Sequence, residues 1–262
     1  MEHKMMNTPR GTIHYWTAGA GTETIFFAHG ATADHAMFDP QMPAFTGQYR
    51  VICWDAPAHG LSRPYNGFTI QQAADDIVQL LDVEGVSRAH LVGQSMGGYI
   101  AQVVASDHPE RVKSLVSVDS APIQRRYMSD LDRWLVSIST PLMKLYPYNT
   151  LVTSMADQVS TTPQGKAYML GVLKTLTKEE IVHNLDVAFN DTIRFDRGNL
   201  TCPIFIICGE KDRSGKVLQY SRRWAELEHH PYAEITGAAH NSNMDAPEEF
   251  NRLLADFLKT VK

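Results

Sequence analysis

Short, almost wholly apolar runs recur along the chain: Ile25-Phe26-Phe27-Ala28, Val51-Ile52-Cys53-Trp54, His90-Leu91-Val92, Leu115-Val116-Ser117-Val118 and Ile204-Phe205-Ile206-Ile207-Cys208. Each is too short for a helix, and none alternates apolar with polar as a strand with one wet face would. They predict parallel strands covered on both sides. Amphipathic helices are expected between them. Ile70, Ala73, Ala74, Ile77, Val78 and Leu81 repeat at the helical period, and Thr69 followed by Gln72 gives that helix a capping-box start. Near the end of the chain Phe250, Leu253, Leu254, Phe257 and Leu258 share one face, with Asp245 as the expected N-cap and Pro247 in the first turn. Strands alternating with helices specify the α/β class, a doubly wound, mostly parallel sheet. Residues 12–16 alternate instead and predict a small antiparallel edge.

The rhythm breaks over residues 121–200, which hold helix-like patterns at 131–145, 151–159, 165–176 and 178–189 and no buried-strand pattern. Pro122, Pro141, Pro147 and Pro163 divide the stretch into short pieces. Such a length exceeds any ordinary connection. It predicts an α-helical cap, 121–200, inserted into a core made of 1–120 and 201–262.

Composition narrows the class. With 24 basic and 29 acidic residues the formal charge is −5, a poor footing for nucleic-acid binding. The odd set Cys53, Cys202 and Cys208 reads as reduced thiols of a cytosolic protein rather than a disulfide framework. The first ten residues lack the apolar stretch of roughly 7–15 residues that marks a signal peptide. The apolar runs are too short to span a bilayer. The expectation is a cytoplasmic enzyme acting on a small molecule, with no membrane or nucleic-acid partner.

The sharpest chemical signal is Gly93-Gln94-Ser95-Met96-Gly97, set between a strand-like run ending at Val92 and a helix pattern from about Gly98. A strand–turn–helix around G-x-S-x-G is what a nucleophile elbow requires, with small residues where the two backbones nearly touch. A serine hydroxyl is a weak nucleophile until a base takes its proton. His240, in a small-residue loop after the Ala233-Glu234-Ile235 strand pattern, falls at the same sheet edge as the elbow. His29 falls there too, but directly before Gly30, where holding the loop is an equal role; His59 reads as structural. The imidazole needs an acid to set its tautomer. Asp212, in the turn Gly209-Glu210-Lys211-Asp212 after the most apolar strand, is preferred, and Asp119, at the end of the preceding strand, is the alternative.

Together these residues resemble the α/β-hydrolase fold superfamily, in particular its cap-bearing serine esterases and lactonases. The resemblance covers about 11–122 and 203–258 and includes Phe27-Ala28-His29-Gly30, the turn from Asp55 to Ser62, the Ser95 elbow, Gly209-x-x-Asp212 and His240. The order Ser95, Asp212, His240 is the order of that family. The resemblance implies an oxyanion hole from the backbone N–H groups of Ala31 and Met96. It implies hydrolysis of a small carboxylic ester or lactone through an acyl-enzyme at Ser95. Two alternatives share the fold: carbon–carbon bond hydrolases, and receptors that keep the triad with little turnover. Dehalogenases and epoxide hydrolases carry aspartate where this chain has Ser95. Asn241 follows His240, where many carbon–carbon hydrolases have tryptophan. Neither a metal-ligand spacing nor a nucleotide loop is present, so no cofactor is expected. His29, Trp134, Leu135, Met143 and Phe189 are candidates for the substrate pocket.

Overall fold

The computed structural model describes residues 1–261. Among them eight strands form one sheet: β1 (Glu2–Thr8), β2 (Gly11–Ala18), β3 (Thr24–Ala28), β4 (Arg50–Trp54), β5 (Ala89–Gln94), β6 (Val112–Val118), β7 (Ile204–Gly209) and β8 (Tyr232–Ile235), in the order β1-β2-β4-β3-β5-β6-β7-β8. The strands from β4 to β8 run parallel, and β1 and β2 add an antiparallel edge. This edge exceeds the expected 12–16. β1 is mostly exposed and lacks an apolar run, so no burial signal announces it.

The helices are α1 (Met42–Phe45), α2 (Ile70–Val83), α3 (Met96–Asp107), α4 (Asp130–Met143), α5 (Tyr148–Val159), α6 (Pro163–Leu173), α7 (Lys178–Asp186), α8 (Val217–Glu228), α9 (Ser242–Asp245) and α10 (Pro247–Thr260). Side-chain alternation along the central strands feeds two cores. Phe26, Ile52, Leu91, Leu115 and Ile206 pack with α2, α3 and Trp224 of α8 on one face. Ile25, Phe27, Val51, Val92, Val116 and Ile207 pack with Phe38, Phe45 and the α10 residues Phe250, Leu254 and Leu258 on the other. The sheet is covered on both sides, as its uniformly apolar strands require.

Helices α4 to α7 fill the stretch between β6 and β7. Leu151, Val152, Met169, Leu173, Ile181 and Leu185 of α5, α6 and α7 join the second core, so these helices are seated on the sheet's own packing. α4 differs. Its Leu131, Trp134, Leu135 and Leu142 face solvent, Trp134 at 57% and Leu135 at 46% exposure. No helix among the described residues is long and apolar enough to cross a membrane.

Two local expectations are corrected. Thr69 accepts the Gln72 N–H at 3.1 Å, but the Gln72 side chain does not return the bond, so the cap is one-sided. The N-cap of α10 is Ala246, not Asp245. The Asp245 carboxylate is instead occupied by donors from residues 160–162 and by the Ala239 N–H, which outcompete the helix end.

Candidate active site

β5 runs directly into α3 through Ser95, whose φ of +50° and ψ of −115° lie where a non-glycine residue is strained by ~1–3 kcal/mol. The surroundings over-determine that conformation. The Ser95 N–H donates to the Val118 carbonyl at 2.8 Å, and the Ser120 hydroxyl donates to the Ser95 carbonyl at 2.9 Å. A Cβ on Gly97 would sit 2.0 Å from the Ala28 carbonyl oxygen, so only glycine lets α3 begin this close to β3. Met96 is the first residue of α3, where an N–H has no intrahelical acceptor and the helix dipole favours negative charge.

The loop leaving β3 comes up against the elbow. A Cβ on Gly30 would lie 2.1 Å from the Gln94 Oε1 and 3.2 Å from the Ser95 Cβ, so the loop passes directly against the elbow one residue before Ala31. His29 is fully buried behind this loop. Its Nδ1–H donates to the Gly30 carbonyl at 2.8 Å and its Nε2 accepts the Ala56 N–H at 2.9 Å. With both nitrogens engaged and burial lowering its pKa, His29 is a neutral brace for the loop, the role its position directly before Gly30 also suggests. His59, buried beneath it, is pushed down to about 3, chiefly by burial.

His240 and Asp212 meet across the ends of β8 and β7. The His240 Nδ1–H donates to Asp212 Oδ2 at 2.9 Å, and the Ser214 N–H donates to Asp212 Oδ1 at 2.8 Å. Burial disfavours the imidazolium, but the charge and hydrogen bond of Asp212, with Asp119 behind, outweigh it and raise the His240 pKa above the ordinary histidine value. Burial likewise opposes the Asp212 carboxylate, and His240 overcomes this to hold it below its ordinary value. Nδ1 is thereby committed, leaving Nε2 as the nitrogen available for chemistry.

Asp119 does not reach the imidazole by a hydrogen bond. Its Oδ1 accepts the Gly209 N–H at 2.6 Å, and its Oδ2 accepts the Ser242 N–H at 3.1 Å and the Ser242 hydroxyl at 2.5 Å. It therefore ties the start of the Asp212 turn to the segment after His240. Burial first, then the charge of Asp212, push its pKa up to about 8.

The candidates for the pocket stand in two settings. Trp134 and Leu135 stand exposed on α4, whereas Met143 and Phe189 are half-buried against the core. Sequence reasoning missed Gln94. Its side chain is buried, and its Nε2–H donates to the His240 carbonyl at 2.7 Å, joining the elbow to the histidine loop. No sequence signal marks this bond, because its partners are 146 residues apart. Among the described residues no three His, Cys, Asp or Glu side chains converge as a metal site.

Known proteins show the same architecture. A family model for the alpha/beta hydrolase fold matches residues 23–140. The protein named provisionally as carbamate hydrolase RutD of Caulobacter segnis is 32% identical over 268 residues, 94% of this chain and 95% of that one. The 3-oxoadipate enol-lactonase 1 of Acinetobacter baylyi is 24% identical, covering 91% of this chain and 89% of its own. The crystal structure of the enol-lactonase from Burkholderia xenovorans LB400 superposes with a TM-score of 0.83 at 22% identity, covering 98% of this chain and 100% of that chain. With this sheet order, this strand–turn–helix and a relative of that identity along nearly its whole length, the chain belongs to the α/β-hydrolase fold family and is a hydrolase.

Proposed function

We propose that the protein cleaves a small carboxylic ester or lactone by acyl transfer to Ser95 and then to water. The observation that carries this reading is the 2.9 Å bond from His240 to Asp212 at the sheet edge where Ser95 projects from its strained turn. Ser95 Oγ attacks the substrate carbonyl carbon while His240 Nε2 takes the hydroxyl proton. The N–H groups of Ala31 and Met96 receive the oxyanion, each donor being worth on the order of 10²–10³ in rate. When the tetrahedral intermediate collapses, His240 gives that proton to the departing alkoxide. Water then attacks the acyl carbon, His240 removes its proton, and the second collapse frees the acid and returns the proton to Ser95. Asp212 holds the imidazole tautomer and stabilises the imidazolium throughout. In an ester the alcohol departs after the first collapse; in a lactone it stays tethered to the acyl group.

The lactonase names among the relatives support the substrate class. In this reading residues 121–200 act as a cap on a core of 1–120 and 201–262, with Met143 and Phe189 as candidates for its acyl pocket. Each buried acyl methylene adds at most ~0.8 kcal/mol, whereas overfilling a packed site costs ~1–3 kcal/mol. On p-nitrophenyl esters kcat/KM is therefore expected to peak at about two to six acyl carbons. A profile still climbing at about twelve to sixteen carbons would contradict an enclosed small-substrate site. Turnover of a vinylogous diketone with none of any ester would replace the ester reading by carbon–carbon cleavage.

A further inference from the structure

Acyl transfer at Ser95 needs two separate loops held at a fixed spacing: the one after β3, which carries the Ala31 donor, and the one after β8, which carries His240. Both are bonded to α6 and its N-terminal lead-in. On the first side, the Tyr168 hydroxyl of α6 donates to Asp34 Oδ1 at 2.9 Å and accepts the Asp34 N–H at 3.2 Å, three residues beyond Ala31. The Asp34 carboxylate also receives the Ala36 N–H at 3.1 Å, so the bond to Tyr168 fixes the backbone of the whole turn.

On the second side, Asp245 accepts the Ser160 hydroxyl at 2.6 Å, the Thr161 N–H at 2.9 Å and the Thr162 N–H and hydroxyl at 3.2 and 3.0 Å. The same carboxylate accepts the N–H of Ala239, directly before His240, at 2.9 Å. Directly after His240, the Asn241 N–H donates to the Val159 carbonyl at 2.8 Å. The residue on each side of His240 is thus bonded, through Asp245 or directly, to residues 159–162, which lead into α6.

We propose that α6 is a strut that sets the spacing between the oxyanion loop and the base loop, with Tyr168 the positioning residue at its far end. The proposal rests on Ser95 being the nucleophile. It makes the insertion part of the reacting geometry, beside the direct bonds from Gln41 to the Asn243 carbonyl at 3.0 Å and from Asn243 to the Met37 carbonyl at 3.1 Å, which join the segments further along the two loops.

Tyr168→Phe tests it by removing one oxygen while keeping the ring. A misplacement of about an ångström can cost on the order of 10²-fold, so kcat should fall about 10- to 100-fold with KM little changed. Affinity for an alkyl boronic acid, whose serine adduct places an oxygen in the oxyanion hole, should fall in the same proportion. Asp34→Ala, which breaks the bond from the other side, should reproduce both losses. A Tyr168 that only packs would lower Tm and leave kcat and boronate affinity unchanged, and that result in both variants overturns the strut. Wild-type protein that takes no fluorophosphonate at Ser95 would instead defeat the nucleophile reading, and the strut with it.

Discussion

Two buried carboxylates face the histidine loop, and their hydrogen bonds divide the work between them. Asp212 bonds the imidazole; Asp119 bonds Gly209 and Ser242 and no ring nitrogen. Asp212→Asn should lower kcat by ~10⁴, because the amide favours the wrong imidazole tautomer. Asp119→Ala should leave buried donors unpaired and lower stability by ~1–3 kcal/mol in denaturant titration, with a smaller loss in kcat. The pH profile separates the two further. His240 must be neutral to act as base, and Asp212 raises its pKa, so the acid limb of kcat/KM should lie above the ordinary histidine value. Removing the Asp212 charge lowers the histidine pKa and should move that limb to lower pH. Equal effects of both substitutions on limb and kcat would contradict this division. At this scale the sequence was legible where a residue's neighbours along the chain define its setting, as in Gly93-Gln94-Ser95-Met96-Gly97. It was not legible for Gln94, Tyr168 or Asp245, whose roles depend on partners brought close only by folding.

Among the elements, the turn from β5 to α3 leaves little room for change. Gly97→Ala would drive a methyl group into the Ala28 carbonyl, 2.0 Å away, and force α3 off the end of β3. Overpacking of this kind costs typically ~1–3 kcal/mol. The variant should therefore show a lowered Tm and slowed acylation together, since the same shift displaces the Met96 N–H. Unchanged stability would show that the contact relaxes freely. The covered strands were readable from their apolar runs, and α2 and α10 from their helical period. The exposed β1 was hidden for lack of burial, and the start of α10 was misjudged because Asp245 has stronger partners elsewhere.

Seen whole, the molecule is a sheet with two cores, and the helices between β6 and β7 share the second of them. Leu173 of α6 is fully buried in that cluster with Phe27, Val116 and Phe250. Leu173→Ala should cost ~2–5 kcal/mol and lower the stability of the entire chain in one transition. A separate, earlier transition for the insertion alone would mean that it unfolds independently of the sheet. The exposed apolar stripe on α4 adds little to this packing, and its direction could not be read from sequence, because helical periodicity reveals an apolar face but not what covers it.

The catalytic expectations depend on Ser95 being an activated nucleophile. The direct measurement is the time course of labelling by a fluorophosphonate, with the modified peptide located by mass spectrometry, on the wild type and on Ser95→Ala and His240→Ala. One equivalent should attach at Ser95 in the wild type, none in Ser95→Ala despite an unchanged fold, and far more slowly in His240→Ala. Equal labelling of Ser95→Ala, or attachment at another residue, would contradict the account.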